Sequence, residues 1–165
     1  MSKRTAAVLT VSDSSARGER ADISGPATAD LLRQSGFDVT HQEIVADEQA
    51  AIEAALIRLT EQTQLVVTTG GTGIAARDVT PEATRAVCSK LVEGIPERMR
   101  SAGAAQTPFA MLSRGLCGVR GRSLILNLPG SPSGAVESLR AVLHILPHAV
   151  DLLAGETGHD EAINE

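Results

Sequence analysis

Aromatic rings are nearly absent from this chain of 165 residues, which has no tryptophan, no tyrosine and only Phe37 and Phe109. Stacking of bases on rings, the sequence-tolerant grip on single-stranded nucleic acid, is therefore excluded as a main source of affinity. A basic surface is missing too, since 20 acidic against 15 basic residues leave a net charge of −5, the wrong sign for a phosphate-backbone binder. A nucleotide base, if one is bound, must be held by aliphatic side chains and backbone groups. No apolar run approaches the ~20 residues that span a bilayer. The N-terminus, MSKRTAAVLTVSD, passes from basic residues straight into a strand-like segment and an aspartate, without the apolar core and cleavage site of a signal peptide. The expectation is a cytoplasmic protein with neither membrane nor nucleic acid as partner. Cys88 and Cys117 form no CxxC and join no Cys/His cluster, so they read as buried, reduced thiols.

Apolar residues make up 42% of the chain, enough at this length for one domain with its own core. Short β-branched runs alternate with helical patterns: strand 6–11, helix 26–35, strand 38–45, helix 48–61, strand 65–69, helix 81–90, strand 123–128 and helix 133–153. Ile52, Leu56 and Leu59 give helix 48–61 one apolar stripe. Residues 94–108 predict one short helix, and 112–119 a further strand turning at Arg120-Gly121. Such alternation argues for a mostly parallel sheet covered on both faces. A single domain over 1–155 is expected, followed by a loose polar tail over 156–165.

The densest stretch is 65–84, LVVTTGGTGIAARDVTPEAT. A buried strand, Leu65–Thr69, runs into Gly70-Gly71-Thr72-Gly73, where missing side chains let backbone N–H groups approach a ligand. Thr80-Pro81-Glu82 reads as a helix start, with Thr80 as N-cap, Pro81 at the first helical position and Glu82 complementing the dipole. Arg77 and Asp78 lie between, a layout suited to phosphate and to a metal that travels with it. The Lys-bearing P-loop is absent and GxGxxG does not fit, and a bare GGTG is also an ordinary tight turn. The same design recurs, however. Strand 6–11 feeds Ser12-Asp13 and a loop ending at Asp22-Ile23-Ser24-Gly25-Pro26, where Pro26 opens a helix. Strand Ser123–Leu128 feeds Pro129-Gly130-Ser131-Pro132, with Ser131 as N-cap. Three such loops meet outside the carboxyl ends of an open α/β sheet, where ligands bind.

Taken together, VLTVSD (8–13), DISGP (22–26), VADEQ (45–49), TTGGTG (68–73), RDVTPEAT (77–84), TPFAMLSR (107–114) and LILNLPGSP (124–132) closely resemble the MogA-type molybdopterin adenylyltransferases, including the equivalent domain of fusion proteins such as gephyrin. The resemblance covers about residues 5–154. GGTG is shared with related pterin- and nucleotide-binding domains, whereas RDVTPEAT with TPFAMLSR sets this type apart from MoaB-type relatives. The resemblance implies a three-layer α/β/α domain with a mostly parallel central sheet, assembled as a homotrimer. It implies MgATP-dependent adenylylation of molybdopterin with release of pyrophosphate.

Residue by residue, Asp47 and Asp78 match the family's acidic active-site positions and are assigned to Mg²⁺ and to orienting the triphosphate. The backbone of Gly70, Gly71, Thr72 and Gly73 should embrace phosphates, with Ser12, Asp22 and Glu82 supporting nucleotide or pterin. Ser113 and Arg114, with Pro129, Gly130 and Ser131, should form the molybdopterin pocket. Arg114 is expected to grip the molybdopterin phosphate bidentately. Glu97 sits near a further acidic position of the family. Capping of helices by Asp22 and Asp47 stays open, as does an inert place for Arg114 on an edge strand. No molybdate-inserting domain is recognised, so the adenylylated product should pass to a molybdate-inserting protein.

Two other classes remain. CinA-like proteins hydrolyse a nucleotide pyrophosphate and carry a GGxGxTxDD-type loop, whereas here Arg77 precedes a single aspartate. The other is a molybdopterin-binding scaffold without catalysis, against which Asp47 and Asp78 speak. His144 and His148 are spaced i, i+4, but Pro147 lies between them and no Glu or Cys arrangement completes a metal site.

Overall fold

In the computed structural model, which describes residues 3–156, side chains of period two divide the interior into two halves. Along β1 (Thr5–Val11), Ala6 and Val8 enter one apolar cluster while Ala7, Leu9 and Val11 enter the other. After a one-turn α1 (Asp13–Ala16), the chain makes α2 (Ser24–Gln34), β2 (Asp38–Val45), α3 (Gln49–Gln62) and β3 (Leu65–Thr69). There follow α4 (Thr80–Val87), β4 (Lys90–Leu91), α5 (Gly94–Ala104), a 3-10 turn over Pro108–Leu112, β5 (Cys117–Arg120) and β6 (Ser123–Leu128). The described chain closes with α6 (Pro132–Val142), a 3-10 turn over Leu143–Ile145, and α7 (Leu146–Leu153).

The six strands lie in the order β2-β1-β3-β6-β5-β4. β2, β1, β3 and β6 are mutually parallel, and β5 and β4 extend the sheet by antiparallel pairings. Leu65 and Val67 of β3 and Leu124, Leu126 and Leu128 of β6 point to the first cluster, and Val66 and Ile125 to the second. α2, α5, α6 and α7 supply the first layer through Leu32, Met99, Leu139 and Val150. α3 covers the other face with the expected stripe of Ile52, Leu56 and Leu59, joined by Ala83 of α4. The expected three-layer α/β/α fold is the one observed.

Several local expectations are corrected. The helix expected over 81–90 ends at Val87, because Ser89 N–H donates to the Val119 carbonyl at 2.8 Å and Val92 N–H to the Cys117 carbonyl at 2.8 Å, drawing the chain into the sheet as β4. Thr80 is not the N-cap of α4. It is the first helical residue, and its hydroxyl donates to the Gly70 carbonyl at 2.9 Å. α2 begins at Ser24, ahead of Pro26, because Asp22 Oδ1 accepts the Gly25 N–H at 3.0 Å. The strand expected over 112–119 is shorter, its first part being the end of a 3-10 turn in which the Thr107 hydroxyl accepts the Phe109 N–H at 3.3 Å. The helix expected over 133–153 breaks at Leu143, and Pro147, lacking an N–H, sits in the first turn of the new segment. His144 and His148 therefore do not share one continuous helix. Residues 157–165 of the expected tail lie outside the described residues. Cys117 is buried and Cys88 half-buried, and burial pushes their thiols up to about 12 and about 11.

Candidate active site

Because β1, β2, β3 and β6 run parallel, the loops after Val11, Val45, Thr69 and Leu128 open at one edge of the sheet. The chain passes from β1 to β2 on one side and returns to β3 on the other, so the strand order reverses between β1 and β3, which leaves a crevice there. Two cavities occupy it. One, of about 460 Å³, is lined by polar groups that include Ser12, Asp22, Asp47 and Thr69. The other, of about 430 Å³, is lined by Pro96, Met99, Phe109 and Leu112 together with Gly73, Ser113 and Pro129. Gly71, Asp78, Gly130 and Ser131 belong to both.

The glycines are what allow the cavities to meet. Gly70 has φ +95°, its N–H donates to the Leu128 carbonyl at 3.1 Å, and a Cβ there would run into the Val11 carbonyl oxygen. Gly71 has φ +68°, and its missing Cβ would collide with the Thr80 hydroxyl and lie 3.2 Å from Asp47 Oδ1. A Cβ on Gly130 would lie 3.2 Å from Gly70 Cα, so the loops after β3 and β6 touch backbone to backbone. Among the described residues the N–H groups of Gly71, Thr72 and Gly73 have no intramolecular acceptor, while that of Gly70 is engaged in the structure itself.

The acids are held by reciprocal bonds. Asp13 N–H donates to Asp47 Oδ2 at 2.8 Å and Asp47 N–H donates to Asp13 Oδ1 at 2.9 Å, locking the loop after β1 to the loop after β2. Arg77 donates to Asp13 through Nε and Nη2, both at 2.9 Å, and holds its carboxyl below the ordinary carboxylate range. Burial raises the Asp47 carboxyl above that range, with the charges of Asp13 and Asp78 adding to the rise and the bond from Asp13 N–H opposing it. Asp78 Oδ2 accepts the Ala75 N–H at 3.0 Å. Asp47 and Asp78 each keep their second carboxylate oxygen free of intramolecular bonds among the described residues. Two such hard oxygens on residues that line the polar cavity fit Mg²⁺, which is commonly held by one or two carboxylates, water and substrate phosphates.

Of the other expected site residues, Ser12 lines the polar cavity and caps α1 by accepting the Ser15 N–H at 3.2 Å. Asp22 also lines it, while Thr10 donates to its Oδ2 at 2.6 Å and the Gly25 N–H, in the first turn of α2, donates to its Oδ1 at 3.0 Å, although the N-cap of α2 is Ile23. Asp47 does not cap α3, whose N-cap is Glu48. Ser131 caps α6 by accepting the Gly134 N–H at 3.2 Å. Two expected residues have their side chains engaged within the protein. Arg114 does not aim its guanidinium into either cavity, and Glu82 is not a lining residue. They pair with each other at 2.8 Å, and Arg114 also donates to the Gly73 and Asp78 carbonyls. Glu97 is exposed on α5 and lines neither cavity, although Pro96 and Met99 beside it do.

Asp13 and Asn127 were not singled out by their sequence contexts. Asp13 lies two residues beyond the end of β1, as Asp47 does beyond the end of β2, and that shared position is the signal that would have paired them. Asn127 interrupts an otherwise apolar strand. Its buried side chain donates to the Thr68 and Thr84 hydroxyls, both at 3.0 Å, and accepts the Leu116 N–H at 3.0 Å. It thus pins β3, α4 and the start of β5 to β6. Asn127→Ala is expected to leave these partners unsatisfied and to cost about 1–3 kcal/mol. Urea unfolding would show it as a lower midpoint at unchanged slope, and an unmoved midpoint would mean that water replaces the amide.

The family model described as a probable molybdopterin binding domain matches residues 7–148. The chain belongs to this molybdopterin-binding family. Among its relatives, the molybdopterin adenylyltransferase of Helicobacter pylori strain J99 is 46% identical over 152 residues, covering 90% of this chain and 86% of that protein. The crystal structure of the molybdopterin biosynthesis enzyme MoaB from Thermus thermophilus superposes with a TM-score of 0.87 at 49% identity, over 92% of this chain and 97% of that one. The motif-based separation from MoaB-type relatives is therefore not reflected in these names. A CinA protein from Thermoplasma acidophilum shares the fold alone, with a TM-score of 0.66 at 22% identity over 86% of this chain and 97% of that one. Among the described residues no helix is long and apolar enough to cross a membrane.

Proposed function

We infer that this family member is a molybdopterin adenylyltransferase, moving AMP from ATP to molybdopterin and releasing pyrophosphate in molybdenum cofactor biosynthesis. The observation that carries the reading is the junction of a polar and a largely apolar cavity at Gly71, Asp78, Gly130 and Ser131. A reaction joining two substrates needs their reacting groups in line at one point. The polar cavity suits the triphosphate and the apolar one the pterin, placing the molybdopterin phosphate and the α-phosphate of ATP at that junction. A phosphate oxygen of molybdopterin then bonds to the α-phosphorus while the bond to the β-phosphate breaks. The free N–H groups of Gly71, Thr72 and Gly73 orient the phosphates, and Asp47 and Asp78 hold Mg²⁺. That ion, when bound, neutralises charge developing on the leaving pyrophosphate. Little covalent work falls to side chains.

The same reading assigns residues 1–155 to one binding unit, working in the cytoplasm as a homotrimer and delivering its product to a molybdate-inserting protein. Incubation with molybdopterin and MgATP should yield the adenylylated pterin and pyrophosphate in equal amounts. Hydrolysis of ATP or ADP-ribose without pterin would instead favour the CinA-like reading. Pterin binding with no product would favour a scaffold.

A further inference from the structure

Arg114 grips the acid loop. Its Nε donates to the Gly73 carbonyl at 2.8 Å, its Nη2 to the Asp78 carbonyl at 2.9 Å, and its Nη1 to the Glu82 carboxylate at 2.8 and 3.0 Å. Its own N–H donates to the Thr72 carbonyl at 2.7 Å. One residue therefore clamps both ends of the segment from Gly73 to Asp78 and fastens it to the first turn of α4, which carries Glu82.

Besides this clamp, the segment is tied down from outside by the bidentate bond of Arg77 to Asp13. Ile74, Ala75, Ala76 and Arg77 are all exposed, Ile74 at 71%, so no apolar anchor sits beneath the loop. Its internal bonds link Asp78 to Ala75 alone, through the side chain and through Asp78 N–H to the Ala75 carbonyl at 3.0 Å. The glycines that precede it impose no conformation of their own. A planar fork with donors in fixed directions can hold two carbonyls and a carboxylate at once, whereas an ammonium is a point charge on a flexible stem.

We propose that Arg114 is a positioning residue: it fixes the 73–78 loop and so places the Asp78 carboxylate at the junction of the two cavities, governing turnover and not substrate affinity. This rests on the adenylyl-transfer reading and on the part that Asp78 plays in it.

The test is steady-state AMP transfer by full-length wild type, Arg114→Ala and Arg114→Lys, with each rate divided by the folded fraction from thermal unfolding. Arg114→Ala should lower kcat by about 10- to 100-fold, the scale of a misplaced group, with KM for ATP and for molybdopterin within about threefold of wild type. Arg114→Lys, or millimolar guanidinium added to Arg114→Ala, should restore part of kcat. Guanidinium should do nothing for Asp78→Asn. A kcat within twofold of wild type, a raised molybdopterin KM with kcat held, or a loss that neither lysine nor guanidinium relieves would each overturn the proposal. Failure of wild type to transfer AMP would remove the underlying reading with it, whereas a competent wild type with an indifferent Arg114→Ala removes only the clamp.

Discussion

Asp78→Asn should fold normally, bind molybdopterin as wild type does, and transfer AMP about 100- to 1,000-fold more slowly, the range seen when one group that stabilises developing charge is lost. The fold should tolerate it because, among the described residues, the one intramolecular bond to that carboxylate comes from Ala75 N–H, which an asparagine carbonyl oxygen still accepts, though more weakly than a charged carboxylate. The Arg114 clamp uses the Asp78 backbone carbonyl, which the substitution leaves in place. What disappears is a full negative charge at a position common to both cavities, and with it half of the carboxylate pair available to Mg²⁺. The measurement is kcat at saturating Mg²⁺ beside a molybdopterin titration. Turnover near wild type would strike Asp78 from the catalytic set. Recovery at raised Mg²⁺ would locate its role in metal affinity.

The elements legible in the sequence were those whose pattern is set by burial on both sides. β1, β3 and β6 are runs of apolar and β-branched residues with nearly every position buried, and a parallel sheet covered by helices demands that composition. The stripe on α3 was visible for a similar reason. Boundaries failed where a tertiary bond outranked local preference. Thr80 has the chemistry of an N-cap, yet its hydroxyl reaches the Gly70 carbonyl across the loop. Residues 89–90 were expected in the helix, yet the ladder to β5 takes them. The site divided along the same line. Loops after strands announced themselves through glycine, proline and aspartate, and they do converge. What each side chain does there was hidden, because the direction of a guanidinium depends on carbonyls far away in sequence. The bonds of Arg114 to the Gly73 and Asp78 carbonyls were of this kind.

Gly70→Ala is expected to lower stability by about 3 kcal/mol or more, through two effects that add. At φ +95° an L side chain pays a left-handed backbone penalty of roughly 1–2 kcal/mol. Its Cβ would also drive into the Val11 carbonyl oxygen at the end of β1. Backbone there cannot give way cheaply, since β1 is paired on both sides by β2 and β3 and a core of this density transmits strain. The Gly70 N–H bond to the Leu128 carbonyl at 3.1 Å and the Thr80 hydroxyl bond to the Gly70 carbonyl at 2.9 Å would be displaced together. For a domain of this size that corresponds to a melting midpoint lower by roughly 6–12 °C. Gly121→Ala is the control. It has φ +59°, and a Cβ there meets nothing within 4 Å, so it should show the backbone penalty alone, about 1–2 kcal/mol. The excess of the Gly70 effect over the Gly121 effect then measures how tightly the glycine loop is pressed against β1. Equal shifts for the two variants would mean that the loop moves aside freely, and that the junction between the cavities is not held by this backbone contact.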